Sequence, residues 1–258
     1  MAAVMLLSIC LAGCIDEDVV VKVKPDGSGT VVERILIKSA LFMKDASGKP
    51  ISTPAKPLSD YAVTMKIASY GGKVRLVSNQ PVTDGGAVGY RAEFAFDDIN
   101  QFKLPANPNA GIGGDFYTFH QTTGATTRLQ VINSKDWLPK SPEGKMPEEK
   151  QIPEEEKKAE ADAIKKLTAD MVKMLDGAKI SFRVEVEGKI LQSNAQFQTD
   201  SGVDLMNMDF GLAAKSPDFE KTMAIGTGSV KPTREELLAV HVPGLHMELQ
   251  KEIFIEYQ

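Results

Sequence analysis

The sequence predicts an α+β fold, a mainly antiparallel β-sheet packed by a few helices. Three observations predict it. Val88 to Phe96 and Lys179 to Val186 alternate apolar with polar residues at period two, the pattern of strands with one buried face. Turn-forming clusters such as Pro25-Asp26-Gly27-Ser28-Gly29 and Glu187-Gly188-Lys189 stand between such stretches. Helical periodicity is confined to a few segments, the longest running from Glu154 to Asp176 with Ile164, Leu167, Met171, Met174 and Leu175 on one stripe.

The chain opens on an apolar run, Met1 to Ala12, too short to span a bilayer as a helix and of the length of a secretory h-region. It closes on Leu11-Ala12-Gly13-Cys14, and no Lys or Arg precedes it. A Leu, two small residues and a Cys resemble the lipobox of bacterial lipoproteins. That resemblance implies a signal peptide of residues 1–13 and lipidation of Cys14, with the membrane as partner through that anchor. Two or more acyl chains hold stably where one holds marginally. Cys10 would leave with the leader, so the mature chain would carry no free thiol. Asp16-Glu17-Asp18 follows at once, as an acidic mature terminus would. Residue two of the mature chain is Ile15 and not Asp, which by resemblance to Gram-negative sorting points to the outer membrane, facing the periplasm.

Val19 to Lys24 and Thr30 to Lys38 are expected as a hairpin about the Pro25 to Gly29 turn, with Gly27 or Gly29 at positive φ. Asp45 to Pro57 is a loop. Ser59 or Asp60 caps a helix to Tyr70, with Tyr61, Met65 and Ala68 on one face at i, i+4, i+7 and Gly71-Gly72 as its stop. Lys73 to Asn79 is a strand, Pro81 to Ala87 a turn region. Val88, Tyr90, Ala92, Phe94 and Phe96 share a face of the next strand. Pro105 to Asp115 is a glycine-rich connection, and Phe116 to His120 and Thr126 to Asn133 form a hairpin around Gly124.

Residues 139–156 are rich in Pro, Glu and Lys and read as a linker or long loop. They separate a β-rich half, 14–138, from an α+β half, 157–258, the two packing as one domain. In the second half Ile180, Phe182, Val184 and Val186 line one face, and Ile190 to Gln198 is expected to return as a hairpin partner. Val203 to Phe210 is a further strand. Ser216-Pro217 starts a helix, Thr233 and Glu236 fit a capping box, and Leu245 to Tyr257 is one long final strand broken at Lys251. Ser59 to Asp98 and Thr168 to Phe210 follow the same order of elements, which reads as an α-β-β internal repeat.

A net charge of −5 on 258 residues does not favour nucleic acid. His241 and His246 lack the spacing of a helical metal pair, and His120 stands alone on a strand. No Gly-x-Ser-x-Gly elbow is present, although Gly226-Thr227-Gly228-Ser229 comes close by eye, and Asp200, Asp204 and Asp209 do not follow a calcium loop. No catalytic residue, metal ligand or cofactor is therefore assigned. Leu205-Met206-Asn207-Met208 reads as core filling. The leader, the first strand, the Pro-Asp-Gly-Ser-Gly tip and the Val-rich return are similar to the start of LppM-like bacterial envelope lipoproteins. That resemblance implies a mixed α/β ectodomain implicated in envelope lipid binding. The reading is a non-enzymatic envelope lipoprotein with an envelope protein or lipid as partner. The alternative is a carrier or sensor of an apolar ligand, whose cavity the three apolar strand faces would line.

Overall fold

Two valine-rich strands open the described fold. The computed structural model describes residues 15–38, 54–106, 115–134, 177–216, 218–219 and 242–258. β1 (Ile15–Val23) and β2 (Gly29–Ile37) pair antiparallel, with Val21 opposite Val31 and Val23 opposite Gly29. Gly27 at the tip has φ 83°, and the Asp26 side chain accepts from the Ser28 amide at 2.9 Å. Gly29 serves a different need. A Cβ there would stand 2.0 Å from the Lys22 carbonyl oxygen and 2.5 Å from the Phe96 ring, so only glycine lets that ring lie over the strand. Asp16-Glu17-Asp18 lies within β1.

Ser59 caps α1 (Asp60–Tyr70), accepting from the Ala62 amide at 3.2 Å, and Gly71 follows with φ 66°. The face that packs on the core is not the one shared by Tyr61, Met65 and Ala68. Tyr61 is 75% exposed and Ala68 is exposed, whereas Val63, Ile67 and Tyr70 pack on the core at i, i+4, i+7. Both sets share one spacing, and the sequence around Tyr70, the largest residue, decides between them only through the sheet it meets. β3 (Val74–Asp84) also runs further than expected, through Pro81, before Gly85-Gly86 turns it into β4 (Ala87–Phe96). β3 lies at a sheet edge, where a residue without an amide hydrogen costs no ladder bond.

A 3-10 turn over Ile99–Gln101 leads to β5 (Lys103–Pro105), β6 (Phe116–Thr123) and β7 (Thr127–Asn133). β6 and β7 form the expected hairpin. β8 (Lys179–Val186) pairs parallel with β1, Val19 opposite Phe182 and Val21 opposite Val184. β9 (Ile190–Ser193) does not return along β8 as a hairpin. It pairs with β12 (Glu252–Tyr257) in the other sheet. The expected α-β-β correspondence with Ser59 to Asp98 is missing at this point, since β3 and β4 are a true hairpin. β10 (Gly202–Asp209) follows, then a single helical turn, α2 (Phe210–Ala213). The long final strand is two strands, β11 (Leu245–Met247) and β12, parted at Glu248 to Lys251 and belonging to different sheets.

The strand orders are β11-β10-β8-β1-β2-β4-β3 and β5-β6-β7-β12-β9. This is a mainly β fold with few helices among the described residues. The chain forms two compact units. The larger takes in Ile15–Trp137, Lys179–Met208 and His246–Gln258. Its core joins the inner faces of both sheets, Val21, Val31, Phe94 and Val184 from one and Phe119, Leu129, Val131 and Ile255 from the other. Tyr70, Phe94, Phe96, Phe102 and Phe119 fill it as a chain of ring contacts with centroids 4.7–5.7 Å apart. In the smaller unit the described residues centre on α2. Asp209 caps it by accepting from the Leu212 amide at 2.9 Å, its own amide donates to the Gly244 carbonyl, and Phe210, Ala213, Phe219 and Val242 are buried.

The leader, Cys14, Trp137, His241, residues 139–156, the helix expected over Glu154 to Asp176, the capping box expected at Thr233, Gly226 to Ser229 and Gly111 to Gly114 lie outside the described residues.

Candidate functional site

The inner face of the larger sheet is not wholly apolar. Period-two alternation puts Glu17 on the same face as Val19, Val21 and Val23 of β1, and Glu33 on the face of Val31 and Ile35 of β2. The register sets Glu17 opposite Ile35 and Glu33 opposite Val19. The two acids are thus diagonal neighbours across one strand pair, within reach of long side chains. They are 3% and 1% exposed.

α1 closes over Glu33. Its Lys66 and Tyr70, four residues apart, project from one helix face. Lys66 Nζ lies 2.8 Å from Glu33 Oε2 and 2.9 Å from Oε1. The Tyr70 hydroxyl donates to Glu33 Oε1, and the Tyr90 hydroxyl of β4 reaches Oε2 at 3.4 Å. Glu33 therefore has three donors from two elements. Glu17 has Oε1 buried with no hydrogen-bond partner. Burial pushes the Glu17 carboxyl up to about 7, the Glu33 charge adds to the rise, and Lys66 opposes it. Burial first, then the Glu33 carboxylate, holds the Tyr70 and Tyr90 hydroxyls well above the ordinary tyrosine range. Both stay donors at any working pH.

The cluster was readable in outline. An acid on the apolar side of a period-two strand is a recognisable exception, and both strands carry one. The acidic neighbours of Glu17, Asp16 and Asp18, concealed the first. What carried no signal is which helix would supply the cation.

The histidines and other acids named from the sequence are dispersed. His120 is exposed on β6, and His246 is exposed on β11 with its ring stacked on Phe197 at 4.8 Å. Asp204 pairs with Arg183 at 3.1 Å, and Asp209 caps α2. Leu205 and Met206 are buried, as core-filling residues are. Among the described residues no group of three or more metal-ligating side chains occurs, and no helix is long and apolar enough to cross a membrane. A cleft of about 330 Å³ lies at the tip end of the first hairpin, lined in part by Lys22, Lys24, Thr30, Glu185, Glu187 and Ser201. Val23 and Val186 also line it, the latter from the apolar face of β8, and no residue of the Val88 to Phe96 or Leu245 to Tyr257 faces does. The apolar strand faces carry Phe94 and Phe182, 0% and 2% exposed, inside the shared core.

No family model and no curated protein matches the chain. Among solved structures it is similar to the folded domain of the Mycobacterium tuberculosis LppM protein, determined by NMR. The identity is 13%, the match covers 77% of this chain and 84% of that one, and the TM-score is 0.34. The resemblance is weak, and a likeness at this level leaves function to be argued from the residues.

Proposed function

We propose that this chain is an exported lipoprotein of the bacterial cell envelope, anchored through Cys14, with a non-enzymatic binding or structural ectodomain. The observation that carries the reading is Leu11-Ala12-Gly13-Cys14 at the end of an apolar leader, one residue ahead of the first residue of β1. Ile15 in the second mature position supports an outer-membrane destination, facing the periplasm, in a Gram-negative cell. The binding or structural reading draws support from the ring-filled core, which uses the apolar strand faces for packing.

The test is metabolic labelling with a fatty acid. The wild-type chain incorporates label, globomycin leaves a longer lipidated precursor, and Cys14→Ser abolishes incorporation. A wild-type chain that takes up no fatty acid overturns the reading. Extraction of the purified full-length protein decides between the two kinds of ectodomain. Only anchor-derived acyl chains are expected, and a stoichiometric non-covalent lipid would make it a carrier.

A further inference from the structure

The inner face of the larger sheet runs on to the end of its strands, past the core that covers it. Along β2 this face carries Val31, Glu33, Ile35 and Ile37, and their exposures are 0%, 1%, 8% and 42%. The register sets Ile15 of β1 and Val88 of β4 on either side of Ile37, and both are half-buried. The three form an apolar row across adjacent strands. Single exposed apolar side chains are ordinary on a protein surface. Those of the larger unit lie elsewhere: Leu76 and Val77 on β3 toward its other end, Leu191 on β9 in the second sheet, and Tyr61 on α1.

The row is set apart by its place. Ile15 follows Cys14 directly in the sequence. Consecutive Cα atoms are about 3.8 Å apart and neighbouring strands about 4.8 Å, so the backbone of Val88, the far member, lies within roughly 14 Å of that cysteine. Charge at this end suits a headgroup layer. Lys38 is exposed directly after Ile37, and Lys179, opposite Asp16, is exposed on β8. Asp16 and Asp84, acids of the same end, are both bridged by Arg34, at 2.9 and 2.8 Å. Lysines at a bilayer surface are drawn to anionic lipid phosphates.

We propose that Ile15, Ile37 and Val88 seat the larger unit on the lipid bilayer: the row enters the boundary between headgroups and acyl chains, and Lys38 and Lys179 meet the phosphates around it. The inference rests on the anchor proposed at Cys14 and goes beyond it, since an anchor alone holds a domain near a membrane without fixing which side faces it. Three partly covered side chains are too few to hold a membrane from solution. The tether makes their contact intramolecular, and a weak contact then suffices to set orientation. β1 leads away from the bilayer, nine residues at about 3.3 Å each. The Pro25 to Gly29 tip and the cleft beside it are thereby held up to roughly 30 Å above the interface.

The experiment uses the acylated protein in vesicles of phosphatidylethanolamine and phosphatidylglycerol, some of whose lipids carry a nitroxide quencher on the headgroup. A fluorophore is attached at Thr83→Cys, an exposed position opposite Val88 at the outer end of the row, or at Lys24→Cys, exposed beyond the far end of β1. With Cys10 gone and Cys14 acylated, the introduced cysteine is the one free thiol. Quenching several-fold stronger at Thr83 than at Lys24 is expected. Ile37→Asp should bring the Thr83 signal down to the Lys24 level, with acylation and co-flotation with vesicles unchanged. Equal quenching at both sites overturns the seating. So does strong quenching at Thr83 that survives Ile37→Asp, because the anchor alone then sets the orientation. A dimer of the detergent-solubilised protein that Ile37→Asp dissociates also overturns it, with a second copy covering the row. Should the aspartate variant not fold, the contrast between the two sites with Ile37 in place decides. Mass spectrometry of the N-terminal peptide separates the two readings. A chain without acyl groups overturns anchor and seating together, and an acylated chain with no contrast overturns the seating alone.

Discussion

Glu33 and Glu248 are both nearly sealed from solvent, at 1% and 3% exposure, yet their partners differ in kind. Glu248 sits between β11 and β12, and backbone holds it. Its Oε2 accepts from the Gln196 amide at 2.7 Å and its Oε1 from the Gln250 amide at 3.0 Å. Those amides are fixed by the path of the chain, which turns there from one sheet to the other. Glu33 is held by side chains, two of them on a helix that packs on the sheet through one face. A carboxylate held by main chain is as secure as the strands around it. One held by a helix ties its own charge balance to the docking of that helix. Glu17 sharpens the contrast, since it adds a second acid to the site and no second cation.

Lys66→Ala should cost most. It leaves Glu33 buried beside Glu17 with two tyrosine donors, and removing one partner of a buried pair costs about 3–5 kcal/mol. Urea unfolding measures it, and adding Glu33→Gln to the same chain should recover part of the loss. Equal losses for the single and double variants would mean that the lysine acts by packing alone. Next comes the pH dependence assigned to Glu17. Its raised carboxyl contributes stability that is full at about pH 4.5 and lost as pH rises to about 7, on the order of 3 kcal/mol in all. Unfolding midpoints of wild type and Glu17→Gln should therefore converge at the acid end and separate toward neutrality, with the variant the more stable.

Glu248→Ala strips two amides of their acceptor and should cost about 1–3 kcal/mol. Its effect on α1 hydrogen exchange should be no more than the global loss requires. Selective exposure of α1 would show that the two sites are not separate. Ser59→Ala is the mildest change. It removes the cap at the Ala62 amide, about 1 kcal/mol, and should raise exchange in the first turn of α1 more than in the Glu248 corner.

Local chemistry was legible in the sequence and partner choice was not. Pro25 to Gly29, Ser59, Gly71 and the alternating rows of β4, β7 and β8 announce themselves because each obeys a short-range rule. Glu187-Gly188-Lys189 obeys one too, and there the rule misleads. The segment turns the chain as expected, but Ile190 and Gln192 find β12 instead of β8, whose flanks are taken by β1 and β10. Pro81 argued against a strand, and only the edge position of β3 removes the objection. The helix face was ambiguous because Tyr61-Met65-Ala68 and Val63-Ile67-Tyr70 have the same spacing. For the site, Glu17 and Glu33 stood in view as acids within valine rows. Lys66 looked like any surface lysine of a helix, because its role comes from a strand 33 residues earlier in the chain.

β1 has a further property that follows from its place in the larger sheet. It is bonded along its length on both sides, over nine register positions with β2 and eight with β8. A pull directed along the axis of β1 acts across the direction of those bonds. Force applied there loads the two ladders in shear, and the bonds must yield together. β3, joined on one side at the edge, would unzip bond by bond under a pull across the sheet. The strand next to Cys14 thus shares a load between two ladders and not one.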